Sequence, residues 1–273
     1  DLTVKANKRT FIFSKKDGQL KGVSVDNRKI SFANGPRFIG ARRADRSLDQ
    51  FYNHDDEKAK EKDRTYSEFP DAAVFTKLDV KEDGGNLVVT ANYKLGNLDK
   101  AQWTINPSGD LALDYTYNFS GVVDLMGIRF DYPEDQVISK RWLGAGPYRV
   151  WQNRIHGTQY DVWENDYNDP IPGETFTYPE FKGYFGDVSW MNIQTKEGTI
   201  SLTNETPDAY IGVYQPRDGR DRLLYTLPES GISVLNVIPP VRNKVNSTDL
   251  CGPSSQPKWV NGPQTGRVIF RFM

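Results

Sequence analysis

Between residues 141 and 154 the chain reads Arg-Trp-Leu-Gly-Ala-Gly-Pro-Tyr-Arg-Val-Trp-Gln-Asn-Arg, crowding aromatic, glycine and basic residues around one expected turn. Gly144, Gly146 and Pro147 point to a tight bend, because glycine adopts backbone conformations closed to other residues and proline pre-sets φ. Trp142, Tyr148 and Trp151 place large flat apolar faces beside that bend, and Arg149, Asn153 and Arg154 add hydrogen-bond donors. Small-molecule sites combine apolar walls with a few placed polar groups, and a sugar ring offers a C–H face to stack and hydroxyls to bond. The segment therefore reads as a sugar-handling surface, with His156 just beyond it as a further contact. Filling of a β-rich core is the competing use of the same aromatics.

A second concentration of chemistry follows at once. Asp161, Glu164, Asp166 and Asp169 lie among Tyr160, Trp163 and Tyr167. Hydrolysis of a glycosidic bond needs two carboxyl groups about 5 to 9 Å apart on rigid elements. The cluster can supply such a pair or be an acidic loop. It lacks the Asp-x-Asp-x-Asp-Gly order of a calcium loop. His54 and His156 are the two histidines, so any mechanism using two imidazoles requires those positions to meet. No Gly-x-Ser-x-Gly elbow, phosphate loop or dinucleotide glycine pattern occurs, and the single Cys251 has neither a disulfide partner nor a zinc-binding companion. No metal and no cofactor are expected.

Bulk properties narrow the class further. The chain has 273 residues, with 35 basic against 36 acidic side chains and a formal net charge of −1. Neither sign is gathered into a stripe, so nucleic acid is not an expected partner. No run approaches the roughly 18 apolar residues of a membrane span, so membrane insertion is not expected. Position 1 is Asp, and the chain reads as a mature protein or a segment of a larger one.

The elements that must position these residues are strands. Apolar residues alternate with polar ones at 111–119, 87–93, 74–80 and 268–272, the period of a half-buried strand. Further strands are expected at 10–14, 20–25, 188–193, 199–203, 210–214 and 232–238. Glycine turns at 17–18, 83–86, 108–110 and 197–198 separate many of them and predict antiparallel hairpins. Helical periodicity is nearly absent. The exception is 46–66, whose mixed-charge run at 55–64 suggests a solvated insert. The stretch 246–263, rich in Ser, Pro and Gly, reads as an ordered rim loop. About fifteen antiparallel strands in one chain exceed an immunoglobulin-sized module and suggest one large all-β antiparallel supersandwich over residues 1–273.

With these strands in hand the chain resembles the C-terminal, galactose mutarotase-like supersandwich domain of family 2 glycoside hydrolases of the β-galactosidase type. The resemblance rests on Phe11-Ile12-Phe13-Ser14 leading to Asp17-Gly18-Gln19-Leu20, and on Met126-Gly127-Ile128-Arg129-Phe130 leading through Val137 to Trp142-Leu143-Gly144-Ala145-Gly146-Pro147. It rests also on Tyr160-Asp161-Val162-Trp163, and on the loop Leu250-Cys251-Gly252-Pro253-Ser254-Ser255-Gln256-Pro257-Lys258-Trp259 before a final strand. It implies a non-catalytic domain that shapes the active site of a separate (β/α)₈ barrel, and this chain lacks the strand–helix alternation of such a barrel. The implied partners are an oligosaccharide or polysaccharide and that catalytic barrel. The implied binding residues are Tyr148, Arg149, Trp151, Asn153, Arg154, His156, Trp163 and Trp259, with no catalytic residue on this chain. An exported enzyme, periplasmic or secreted, is the implied setting.

The pattern also departs from the family. After the first hairpin, where β-galactosidases usually carry Arg-Ala-Pro-x-Asp-Asn-Asp, this chain has Pro36-Arg37-Phe38-Ile39-Gly40-Ala41-Arg42-Arg43, and the turn continues Tyr148-Arg149-Val150-Trp151-Gln152-Asn153-Arg154 rather than with the His-Glu pair common there. A sugar other than galactose, or a different parent activity, is consistent with these changes. A free-standing aldose epimerase on the same fold, using His54 or His156 opposite Asp161 or Glu164, and a structural interaction domain without sugar binding are the alternatives.

Overall fold

The structure is a computed structural model that describes residues 1–43, 66–166, 182–215, 227–241 and 252–273. Among these residues the first nine strands are β1 (Leu2–Ala6), β2 (Arg9–Phe13), β3 (Leu20–Val25), β4 (Arg28–Ile30), β5 (Ala33–Arg43), β6 (Tyr66–Glu68), β7 (Val74–Asp83), β8 (Asn86–Lys94) and β9 (Leu98–Ile105). The next nine are β10 (Leu111–Val123), β11 (Leu125–Asp131), β12 (Val137–Gly146), β13 (Gln159–Asp166), β14 (Trp190–Thr195), β15 (Gly198–Asn204), β16 (Tyr210–Gly212), β17 (Ile232–Val237) and β18 (Lys258–Phe272). The expected all-β architecture is the observed one. His54, the charged run at 55–64, Tyr167, Asp169 and Cys251 lie outside the described residues.

Two nine-stranded sheets form. One runs β1-β2-β3-β5-β11-β17-β16, with β4 added on β3 and β6 on β5; the other runs β13-β12-β14-β15-β18-β10-β9-β8-β7. The paired strands are antiparallel, as the glycine turns imply: between β7 and β8, for example, Gly84 and Gly85 sit at φ of 57° and 81°, a conformation that suits a hairpin turn.

Alternation then sorts side chains between faces. On β10, Leu111, Leu113, Tyr115 and Tyr117 are buried while Asp114, Thr116 and Asn118 face outward. The core between the sheets is strongly aromatic. Phe32 stacks on Phe130 with centroids 4.6 Å apart, Phe13 tilts against Trp103 at 6.0 Å, and Phe270 meets Phe130 edge-on at 5.4 Å. Each such ring contributes about 1.5–3 kcal/mol by leaving water.

A second, smaller core lies on the other side of the first sheet. Phe38, Ile128 and Val234 face the inter-sheet core, whereas their strand neighbours Ile39, Leu125 and Leu235 join a separate cluster with Ala41, Val150, Trp151, Tyr184, Ile238 and Val241. The outer face of that sheet is therefore not bare. The segment after β12 folds back to cover it.

One expectation needs correction. Part of the supposed rim loop at 246–263 is strand, because β18 starts at Lys258 and pairs with β10 from Lys258 opposite Val123 to Phe270 opposite Leu111. Pro263 is tolerated there because β15 joins β18 only from Val268 onward, which leaves the Pro263 stretch with one neighbouring strand.

Candidate functional site

The glycines of the 141–154 motif act by leaving space. Gly144 and Gly146 belong to β12, and neither is among the positive-φ residues, so the bend expected around them begins only at Pro147. A Cβ on Gly144 would stand 3.0 Å from the carbonyl oxygens of Gly186 and Asp187, and one on Gly146 would stand 2.4 Å from the Trp163 ring. Close approach of backbone and indole demands glycine at both positions.

Beyond Pro147 the chain alternates between burial and exposure. Trp142 and Trp151 are 0% exposed and Arg149 only 1%. The Trp142 indole N–H donates to the Ala145 carbonyl at 2.9 Å and its ring meets Phe185 edge-on at 5.0 Å. Trp151 meets Tyr184 edge-on at 5.8 Å, while the Val150 and Tyr184 backbones exchange hydrogen bonds of 2.7 and 2.8 Å. The Arg149 guanidinium lies 5.0 Å from the Tyr214 ring centre and 5.9 Å from that of Phe185. Lys140, also buried, holds its ammonium 4.8 Å from the same Tyr214 ring and donates to the Asp166 carbonyl. Cation–π attraction at this desolvated site is worth about 2 kcal/mol. These side chains anchor the segment.

The surface carries a different set. Arg154 and His156 are exposed, and the half-buried Tyr148 donates its hydroxyl hydrogen to the His156 carbonyl at 3.3 Å, closing the tip of the turn over Gly157. Trp163 is half-buried, with its indole N–H on the Gln159 carbonyl at 3.2 Å. Trp259 is 71% exposed.

Tertiary structure brings two of the sequence motifs together. Gln152 Nε2 donates to the carbonyls of Ser254 and Gln256, both at 2.8 Å. Asn153 Nδ2 donates to the Val241 carbonyl at 2.7 Å and to Ser255 Oγ at 3.0 Å. The turn at 147–158, the strip at 239–241 and the loop at 252–256 thus form one rim, and Trp259 follows that loop by three residues. Gln152, Val241 and Ser255 were not candidates from sequence. The adjacent amides at 152 and 153 were a visible signal of side chains able to bridge backbone segments.

The three described carboxyls of the acidic cluster do not all share one face. Asp161, Glu164 and Asp166 are exposed on β13, where period-two alternation turns Asp161 to the side opposite Glu164 and Asp166. Glu164 stands 4.0 Å from Arg141 on β12. Among the described residues no group of three or more His, Cys, Asp and Glu is placed to hold a metal ion, and no helix is long and apolar enough to cross a membrane.

Two antiparallel sheets in this order define a galactose mutarotase-like supersandwich. The galactose 1-epimerase of Lactobacillus acidophilus NCFM shares it, with a TM-score of 0.50, 9% identity, and coverage of 99% of this chain and 93% of that one. The GalM/aldose epimerase homologue from C. elegans aligns with a TM-score of 0.43 and 8% identity, covering 100% of this chain and 98% of that one. The alpha-N-acetylgalactosaminidase NagBb from Bifidobacterium bifidum aligns with a TM-score of 0.45 and 12% identity over 100% of this chain, which spans 36% of that protein. No curated protein matches the sequence. The chain belongs to the beta galactosidase small chain family, whose model matches residues 5–246.

Proposed function

We propose that this chain is a non-catalytic accessory domain, the C-terminal part of a larger β-galactosidase-type glycosidase. In this reading its rim borders the active site of a separate catalytic barrel, and the sugar is an oligosaccharide or polysaccharide. The carrying observation is the contrast between two sets of side chains on these segments: Trp142, Trp151 and Arg149 are buried as anchors, while Trp259, Arg154 and His156 are exposed to solvent. An exposed indole on a surface that also offers hydrogen-bond donors suits sugar stacking, and it equally suits contact with a barrel that completes the site. Tyr148 and Trp163 then shape the turn, and Asn153 supports it. Family membership supports association with a catalytic portion, although the matched region ends before Trp259. Export to the periplasm or the medium completes the proposal.

Turnover of aryl β-galactosides and of free aldose anomers by the chain alone tests it, with tryptophan fluorescence recorded during galactose titration. No turnover alone, and restored or altered turnover with the catalytic portion that Trp259→Ala weakens, is the expected result. Turnover by the chain alone that His156→Ala abolishes would replace the proposal with an epimerase-type enzyme.

A further inference from the structure

The Asn153 side chain has no donor left for a ligand. Its Nδ2 gives hydrogen bonds to the Val241 carbonyl and Ser255 Oγ, and its Oδ1 accepts the Val241 N–H at 2.9 Å. An amide nitrogen carries two hydrogens, and both are used. The neighbouring Gln152 spends both of its amide hydrogens on the carbonyls of Ser254 and Gln256, and two carbonyl acceptors fix which end of that amide is nitrogen. Its backbone N–H reaches the Pro239 carbonyl at 3.0 Å. The side-chain partners lie between 88 and 104 residues away in sequence.

The segments so held have little regular structure of their own. Residues 239–241 are outside any strand, and the loop at 252–256 contains one short 3-10 turn, Pro253–Ser255, where the Ser255 and Gln256 N–H groups bond to the Gly252 and Pro253 carbonyls. By contrast, the backbone bearing the two amides is rigidly based, because Val150 and Trp151 sit in the second core.

We infer that Gln152 and Asn153 are positioning residues: their side chains hold the 252–256 loop and the 239–241 strip against the turn. The rim is thereby organised within the chain before any sugar or barrel meets it. Its use at an active site rests on the accessory-domain reading; the organisation itself does not. A pre-ordered rim binds with less loss of conformational freedom.

Amide hydrogen exchange on the 273-residue chain tests this with two variants whose effects differ. Gln152→Met keeps the side-chain volume and removes both donors, so the Ser255 and Gln256 amides should exchange at least tenfold faster while Val241 and both sheets stay protected. Asn153→Asp keeps the acceptor for the Val241 N–H but sets a carboxylate oxygen against the Val241 carbonyl, which has no donor to offer, while the Ser255 hydroxyl can turn to donate; the 239–241 strip should therefore loosen and the 252–256 loop stay protected. Unchanged exchange at 252–256 in Gln152→Met would overturn the assignment, as would a uniform loss of protection over both sheets. Should Asn153→Asp fail to fold, Ser255→Ala removes a single bond of the set and should still speed exchange at Gln256.

The functional consequence is read separately, as KM and kcat for an aryl β-galactoside with the catalytic portion present. A raised KM at unchanged kcat in Gln152→Met is expected. Faster exchange with both constants unmoved would keep the positioning role and sink the accessory-domain reading.

Discussion

Trp151 and Trp259 occupy segments of similar composition, each rich in proline, glycine and amide residues, yet Trp151 is 0% exposed and Trp259 is 71% exposed. The difference lies in what each segment folds onto. Trp151 lands on the outer face of the first sheet, where Ile39, Leu125 and Leu235 form an apolar strip that water would otherwise cover. Trp259 lies near the start of β18, where among the described residues β10 is the one neighbouring strand, with Val122 as its cross-strand neighbour, and its side chain is exposed. An aromatic near a turn is sorted by the surface beneath it, not by its neighbours in sequence.

The largest expected effect breaks the buried side of this comparison. Trp151→Ala should cost about 3–5 kcal/mol of stability, because it empties the second core, and a urea titration measures it. A loss under 1 kcal/mol would mean that this core adds little. Gly146→Ala comes next. The added methyl meets the Trp163 ring, and overpacking of this kind costs about 1–3 kcal/mol in thermal unfolding.

A smaller effect depends on pH. The Arg271 guanidinium hydrogen-bonds both oxygens of Asp110 at 2.6 and 2.8 Å and holds that carboxyl below the usual carboxylate value. A carboxyl with a depressed folded-state pKa stabilises the fold above its ordinary value, and the contribution fades as pH falls through the depressed one. Arg271→Ala should therefore lower the melting temperature slightly at pH 7, and the wild-type and variant curves should converge in acid. A gap that persists in strong acid would assign the loss to packing.

The smallest effect on stability sharpens the exposed side. Trp259→Ala should change the urea midpoint by less than about 0.5 kcal/mol, the usual range for surface positions, while abolishing any fluorescence response to galactose. Equal losses at positions 151 and 259 would erase the distinction between anchor and contact.

Much of the fold was legible in the alternation itself. The strand expected at 20–25 is β3, and Leu111, Leu113, Tyr115 and Tyr117 face the core as their spacing demanded. Less of the candidate site was legible. Gly144 and Gly146 read as turn glycines because a linear sequence cannot display Trp163 or the 186–187 carbonyls pressing on them. Asn153 read as a ligand contact because its partners Val241 and Ser255 are separated from it by 88 and 102 residues. The acidic cluster read as a candidate source of a carboxyl pair because sequence spacing does not show that alternation puts Asp161 and Glu164 on opposite faces of β13.

Composition and period-two patterning by themselves determined an all-β chain of antiparallel hairpins, since alternation sorts side chains locally and glycine turns act within four residues. Tertiary structure alone decided which aromatics of the 141–154 motif became core and which segment the turn would join. Burial depends on the layer that folds over a residue, and the carbonyls that satisfy Gln152 and Asn153 arrive from distant parts of the chain.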